Sequence, residues 1–247
     1  MLLLYYTRED GHNLYLRPEP KVNSTRRRVW NIIQVKRQLG GEVCRHVLFI
    51  HALLGCDTTS SLFGIGKGAS LKKLSTSDYF QQQAKIFDNE SSTSEEITAA
   101  GENALVCIYG GKHGQNLNQL RYQRYIEKLA SKKSSLQAQS LPPSSGAAKY
   151  HSLRVYFQIM EWKEKPGMHY GDWGWRRDGE HLTPVMTDQP PAPQSILKIV
   201  RCNCTLDCST SRCSCRKNNL QCSLACGHCK GSSCTNSPAP ILDEESE

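Results

Sequence analysis

Residues 202–234 read CNCTLDCSTSRCSCRKNNLQCSLACGHCKGSSC and hold nine of the chain's twelve cysteines. Two C-x-C pairs and one C-x-x-C pair put neighbouring thiols where they can bind one ion. A disulfide framework is the alternative, but the odd number of cysteines and the close C-x-C spacing favour metal. The stretch therefore predicts a zinc site, because zinc prefers thiolate ligands. The predicted ligands are Cys202, Cys204, Cys208, Cys213, Cys215, Cys222, Cys226, Cys229 and Cys234.

The number of thiols predicts about three zinc ions. Three tetrahedral ions need about twelve ligand positions, and nine thiolates supply these positions if three of them bridge two ions each. His228 is the histidine of this stretch, and a smaller cluster results if it replaces a thiolate.

The cysteine stretch also carries a surplus of positive charge. Its acid is Asp207, and its basic residues are Arg201, Arg212, Arg216, Lys217 and Lys230. Basic side chains on a rigid support are typical of phosphate-binding surfaces. We therefore expect Arg212, Arg216 and Lys217 to contact nucleic acid.

The spacing C-x-C-x3-C-x4-C-x-C-x6-C-x3-C-x2-C-x4-C resembles the tesmin/TSO1-type CXC module, also called the CRC repeat, over about 201–236. The resemblance implies DNA binding through a cluster of three zinc ions and nine cysteines. DNA-reading members typically carry a tyrosine before the fourth cysteine, and many have two repeats. This chain has Arg212 at that position and one repeat. The family also includes modules that pack inside larger enzymes, so a protein-binding adaptor is an alternative function.

Charge and hydropathy point to the same class of partner. The chain of 247 residues has a formal net charge of +8, which favours an acidic partner such as DNA. Its apolar runs are far shorter than a membrane span, so we expect no membrane partner. DNA binding predicts a nuclear location.

The first residues predict a β-hairpin followed by a basic helix. Leu2–Tyr6 is apolar without alternation, as in a strand covered on both faces, and a second strand is expected at 13–16. Ser24 or Thr25 can cap a helix over 24–39 that ends at Gly40. Its basic residues either bind nucleic acid or form an ordinary solvated face.

A second candidate site follows in ALLGCDTTSSLFGIGKGASLKKL at 52–74. Glycines near a helix start expose backbone N–H groups to an anion, which predicts a phosphate-binding turn. The candidate residues are Gly64, Ile65, Gly66, Lys67, Lys72 and Lys73, with the helix expected from about Ala69. A simple helix–helix turn is the alternative.

The same segment resembles the helix–two-turn–helix of the flap-endonuclease superfamily, which has a PIN-like fold. Over about 1–75, the resemblance implies that Asp57 holds Mg²⁺ and that Gly64 to Lys67 clamp a DNA backbone around a monovalent cation such as K⁺. Most of the family's other carboxylates precede the point where this chain begins, so a truncated N-terminus and no cleavage by this chain alone are expected. The alternative is a C-terminal portion of a Mg²⁺-dependent, structure-specific nuclease.

The remaining pattern predicts helices joined by open connections. Helices are expected at 79–87, 95–109, 117–132 and 148–162, followed by a hairpin around Asp178-Gly179. Trp173 and Trp175 either pack on these helices or stack on bases. This pattern joined to a CXC module is similar to uncharacterised, mobile-element-derived animal proteins.

The predicted organisation has five segments. They are a PIN-like part at 1–75, a helical extension at 76–140, a helix with a Trp-rich hairpin and Pro-rich linker at 147–199, a CXC domain at 200–236 and an acidic, disordered tail at 237–247. The fold class expected is mainly α, with a short N-terminal β-hairpin as the remnant of an α/β PIN-like domain and a small zinc-cluster domain. The predicted function is zinc-dependent DNA binding.

Overall fold

The computed structural model describes residues 1–8, 10, 12–19, 29–130, 138–189, 201–205, 207–222, 226–231 and 234–237. Spatial proximity divides the chain into two compact units, Met1–Asp188 and Gln189–Glu247. The protein is mainly helical, with a small two-stranded sheet near its N-terminus and a cysteine-rich cluster near its C-terminus. This confirms the fold class predicted from the sequence.

The described helices of the first unit are α1 (Leu2–Tyr6), α2 (Ile32–Leu39), α3 (Gly41–Arg45), α4 (Val47–Leu53), α5 (Lys67–Thr76), α6 (Asp78–Asp88), α7 (Ser94–Ile108), α8 (Leu117–Ala130) and α9 (Ser145–Trp162). Short 3-10 helices lie at Ala138–Ser140 and Tyr170–Trp173. The strands form two antiparallel pairs, β1 (Tyr15–Leu16) with β2 (Trp30–Asn31) and β3 (Trp175–Asp178) with β4 (His181–Pro184).

The strand predicted over Leu2–Tyr6 is wrong, because this segment is helix α1. A short apolar run does not distinguish a buried strand from a short helix by periodicity alone. The helix buries Leu4 against Ile32 and Val47. The observed pair instead joins Tyr15–Leu16 to Trp30–Asn31.

The helix predicted over 24–39 begins later than expected. Asn31 is its cap, and the Asn31 side chain accepts a hydrogen bond from the Gln34 backbone N–H at 3.1 Å. The predicted caps Ser24 and Thr25 lie outside the described residues. The helix ends at Leu39, where Gly40 adopts a positive φ of 83°.

The core of the first unit forms where α4, α6, α7 and α9 pack together. Phe49 packs on Phe87 with ring centroids 4.8 Å apart, and both side chains are fully buried. Trp173 packs on the Tyr156 ring at 4.7 Å, and the Arg154 guanidinium lies over Trp175 at 5.9 Å. Both tryptophans therefore contact the first unit's own side chains.

The second unit is organised by sulfur atoms rather than by hydrocarbon. Its described helix is α10 (Ser214–Lys217), and its core cluster consists of cysteines. Across the described residues of both units, no helix is long and apolar enough to cross a membrane.

Candidate metal centre

The nine cysteines predicted as ligands converge in the second unit. Seven of them are buried, and the other two, Cys204 and Cys234, are partly buried and pack against them. All twelve cysteines of the chain are described, and no disulfide joins any of them. The chain therefore brings together thiols that are up to 32 positions apart in sequence.

The sulfur atoms form three overlapping groups of four among the described residues. Within each group, all four sulfurs lie within 4.8 Å of one another. The groups are Cys202, Cys222, Cys226 and Cys229; Cys202, Cys208, Cys213 and Cys222; and Cys208, Cys222, Cys229 and Cys234. Four thiols is the number of ligands that a structural zinc ion takes.

The distances between sulfurs fit metal coordination. Cys202 Sγ lies 3.7 Å from Cys208 Sγ and 3.8 Å from both Cys222 Sγ and Cys229 Sγ. In a tetrahedral centre with Zn–S bonds of about 2.3 Å, neighbouring sulfurs lie about 3.8 Å apart. A disulfide would need about 2.05 Å. The donor set therefore fits zinc.

Two predicted ligands lie outside these groups of four. Cys215 Sγ is 3.5 Å from Cys226 Sγ, so it adjoins the first group. Cys204 is partly buried against the cluster. His228, the candidate substitute for a thiolate, is exposed and belongs to none of the groups found in the described part of the unit.

Burial and the backbone N–H groups at the start of α10 shift the pKa values of the thiols in opposite directions. Burial raises the pKa of Cys208, Cys215 and Cys222 above the usual thiol value. Backbone N–H groups at the start of α10, that of Arg216 first, lower the pKa of Cys213 to about 6. A dication at the cluster favours the thiolate form of every ligand it binds, so it offsets the cost of burying these groups.

The loops around the cluster are held by polar side chains that the sequence analysis missed. Asp207 Oδ1 accepts hydrogen bonds from the Cys208 N–H at 2.7 Å and the Thr235 hydroxyl at 2.8 Å, and bonds from Thr235 hold the Asp207 pKa at about 2. Asn236 Nδ2 donates to the Leu220 carbonyl at 2.9 Å and to Cys222 Sγ at 3.4 Å. The sequence signal for this role of Asp207 is its position directly before a cysteine, because Asp side chains often accept hydrogen bonds from nearby backbone N–H groups.

The predicted nucleic-acid contacts of this unit differ in their surroundings. Arg212 and Lys217 are exposed. Arg216 is also exposed, but its Nε donates to the Cys208 carbonyl at 2.7 Å and its Nη2 to the Thr235 carbonyl at 3.3 Å. Arg216 therefore holds two loops of the unit together.

The predicted phosphate-binding turn of the first unit lies at the start of α5. Gly64 has a positive φ of 73°, and α5 begins at Lys67, earlier than expected. Gly64, Ile65 and Gly66 line a cavity of about 100 Å³. One N–H of the turn, that of Ile65, already donates to the Leu62 carbonyl at 3.3 Å.

Two of the three lysines near this turn are engaged within the unit. Lys67 Nζ donates to His51 Nδ1 at 2.9 Å, and burial, aided by Lys67, lowers the His51 pKa. Lys73 Nζ donates to the Cys107 carbonyl. Lys72 is exposed. Phosphate binding at this turn stays a prediction.

Asp57, the candidate Mg²⁺ ligand, is exposed in the bend after α4. The groups of three or more potential ligands found among the described residues consist of cysteines, so Asp57 belongs to none of them. The neighbouring turn is closed by the Thr59 hydroxyl, which donates to the Ala52 carbonyl at 2.7 Å. Binding of Mg²⁺ or K⁺ in this region stays a prediction.

The second unit thus carries a cysteine cluster that could bind zinc. Comparisons with family models, curated proteins and solved structures return no match to this chain.

Proposed function

We propose that the chain is a zinc-dependent DNA-binding protein whose second unit holds about three Zn²⁺ ions. The observation that carries the proposal is the overlap of the four-thiol groups. Cys202, Cys208 and Cys229 each belong to two groups, as expected for thiolates that bridge two ions. Cys222 belongs to all three groups, so it lies at the centre of the cluster.

The charges around the cluster favour DNA as the ligand. Arg201, Arg212, Lys217 and Lys230 are exposed on this unit. A metal–thiolate core fixes the backbone that carries them, so less conformational freedom is lost when they contact phosphates. The resemblance to CXC modules supports the same partner, and a nuclear location follows from it. The PIN-like resemblance adds a nuclease-derived, degenerate first unit to the proposal.

Fluorescence anisotropy with a labelled duplex tests this function on the whole, zinc-loaded chain. We expect affinity to fall steeply between roughly 50 and 200 mM salt, because phosphate contacts release counterions. Arg212→Gln combined with Lys217→Gln should weaken binding. The slope of the logarithm of the binding constant against the logarithm of the salt concentration should become shallower by about one unit for each phosphate that the variant no longer neutralises. Arg216 is left unchanged, since its replacement would also loosen the unit.

The matched control is Arg176→Gln combined with Arg177→Gln, which removes two exposed arginines from the β3–β4 hairpin. This control should bind DNA as the native chain does. Affinity that is flat in salt, or normal binding by the Arg212 and Lys217 variant, would contradict DNA binding by the zinc unit. Either result would favour a protein-binding role instead.

A further inference from the structure

An open cavity of about 430 Å³ lies in the first unit, where α3, α6 and α9 end near one another. Its lining includes Arg45, His46, Lys85, Asp88, Asn89 and Lys163. Three of these side chains are cationic, and one is a carboxylate. The nucleic-acid contacts proposed for the zinc unit do not include any of them.

The carboxylate in this cavity is already occupied by hydrogen bonds. Asp88 Oδ2 faces His46 Nδ1, and Asp88 Oδ1 accepts from Lys163 Nζ at 2.9 Å. Lys163 Nζ also donates to the Asp88 backbone carbonyl at 3.1 Å. The Asp88 side chain therefore holds His46 and Lys163 in place, and both of its oxygens have partners.

Other polar atoms near the cavity, by contrast, lack a carboxylate or hydrogen-bond partner. His46 is 1% exposed, and its Nε2 has no hydrogen-bond partner; Glu42 Oε2 lies 3.8 Å away. Within the described part of the chain, no carboxylate pairs with Lys85. Arg45 Nη1 contacts Glu42 Oε1 at 2.6 Å, which leaves other guanidinium N–H groups to donate. A buried polar atom without a partner calls for an explanation, and a ligand bound in the adjoining cavity would supply one.

We propose that this cavity binds a phosphate group with terminal oxygens, as in inorganic phosphate or a phosphate monoester. Such a group carries close to two negative charges at neutral pH and presents three or more acceptor oxygens. It would accept hydrogen bonds from Lys85 and Arg45 and would lie against His46 Nε2, the ring nitrogen that has no partner. The cavity is larger than a phosphate group, so the body of a small phosphorylated molecule also has room.

Titration of the zinc-loaded chain with inorganic phosphate, at ionic strength held constant with chloride, tests this site. Calorimetry gives the affinity, and NMR follows the imidazole resonances of His46. Lys85→Gln and Arg45→Gln change exposed side chains, so they should fold, and each should raise the Kd about tenfold because a charge-assisted hydrogen bond is removed. Lys112→Gln changes an exposed lysine outside the cavity and should leave the Kd unchanged.

A trinucleotide with a 5′-phosphate, compared with the same trinucleotide without it, separates a terminal phosphate from a phosphodiester backbone. We expect only the phosphorylated form to displace inorganic phosphate. The Arg212 and Lys217 variant of the zinc unit should bind phosphate normally, which keeps this test independent of DNA binding. Unmoved His46 resonances at millimolar phosphate, equal affinities of Lys85→Gln and Lys112→Gln, or equal displacement by both trinucleotides would overturn the proposal.

Discussion

His151 on α9 is a buried histidine whose charge state is set by its surroundings. Its Nε2 donates to the Leu53 carbonyl at 2.9 Å, which ties α9 to the end of α4. Burial, aided by the Arg154 charge, lowers the His151 pKa to about 4. The folded unit therefore holds His151 neutral at a pH where the unfolded chain, with a pKa of about 6.5, begins to bind a proton.

This shift predicts acid destabilisation of the first unit. The contribution of His151 is fully present above about pH 6.5 and is lost as the pH falls through about 4. Between pH 7 and pH 5, the unfolding free energy should fall by about 2 kcal/mol more in the native chain than in His151→Gln, whose amide can still donate to Leu53. Urea unfolding followed by tryptophan fluorescence reports on this unit alone, because all four tryptophans lie in it. Equal losses in the two proteins would contradict the assignment.

At the level of single residues, the convergence of the cysteines is easier to predict from the sequence than the partners of the cations. The nine cysteines are concentrated in one stretch and include C-x-C and C-x-x-C pairs, so their pattern is visible before folding. The partners of a lysine or arginine are set by tertiary contacts. Lys73 donates to Cys107, 34 positions away, and His46 meets Asp88 across 42 positions. No local pattern predicts such pairs.

At the level of elements, the close approach of α7 and α9 depends on one glycine. Gly101 of α7 faces Ser152 of α9, and a Cβ at Gly101 would lie far inside van der Waals contact of the Ser152 side chain. Ser152 is fully buried, and its hydroxyl donates to the Ala148 carbonyl at 2.8 Å, so moving the side chain would break this buried hydrogen bond. The two helices can pack at this distance only with glycine at position 101.

Gly101→Ala should therefore destabilise the first unit by about 1–3 kcal/mol through overpacking. The matched control is Gly68→Ala in α5, where an added Cβ meets nothing within 4 Å. The control should stabilise the unit by about 0.5–1 kcal/mol, because alanine favours helix over glycine. Urea unfolding curves decide between these outcomes, and a stabilising Gly101→Ala would show that α9 shifts to accommodate the methyl group.

Long helices with caps are the elements that the sequence predicts well. The predicted 95–109 helix is present as α7, which begins after its cap Thr93, and the Glu96 side chain accepts from the Thr93 N–H at 2.8 Å. The predicted 148–162 helix is present as Ser145–Trp162. The strand prediction over Leu2–Tyr6 fails because five apolar residues carry no period, and the helical state of this segment depends on packing against Ile32 and Val47.

At the scale of the whole molecule, the two units are stabilised by different means. The first has an extended apolar core that includes Phe49, Phe80, Phe87 and Tyr156. The second has a core of cysteines and little hydrocarbon to bury. Because so small a segment buries little apolar surface, we expect its folding free energy to come from metal binding. The sequence predicts this difference, because the cysteines are concentrated after residue 201 and the apolar periodicity lies before it.

Removal of zinc should therefore unfold the second unit and leave the first unit folded. A strong chelator under reducing conditions should abolish the ordered amide resonances of 201–237, because the buried thiols are then without the ion that offsets their burial. The far-UV helical signal should persist, since it comes mainly from α1 to α9. Cys222→Ser, which alters the cysteine common to all three groups, should reproduce the effect, whereas Cys107→Ser in the first unit should not.

Native mass spectrometry before and after chelation gives the number of ions removed, with about three expected. If the amide resonances of 201–237 stayed dispersed without metal, the thiol core would not depend on zinc. If the helical signal collapsed as well, the first unit would not be independently stable.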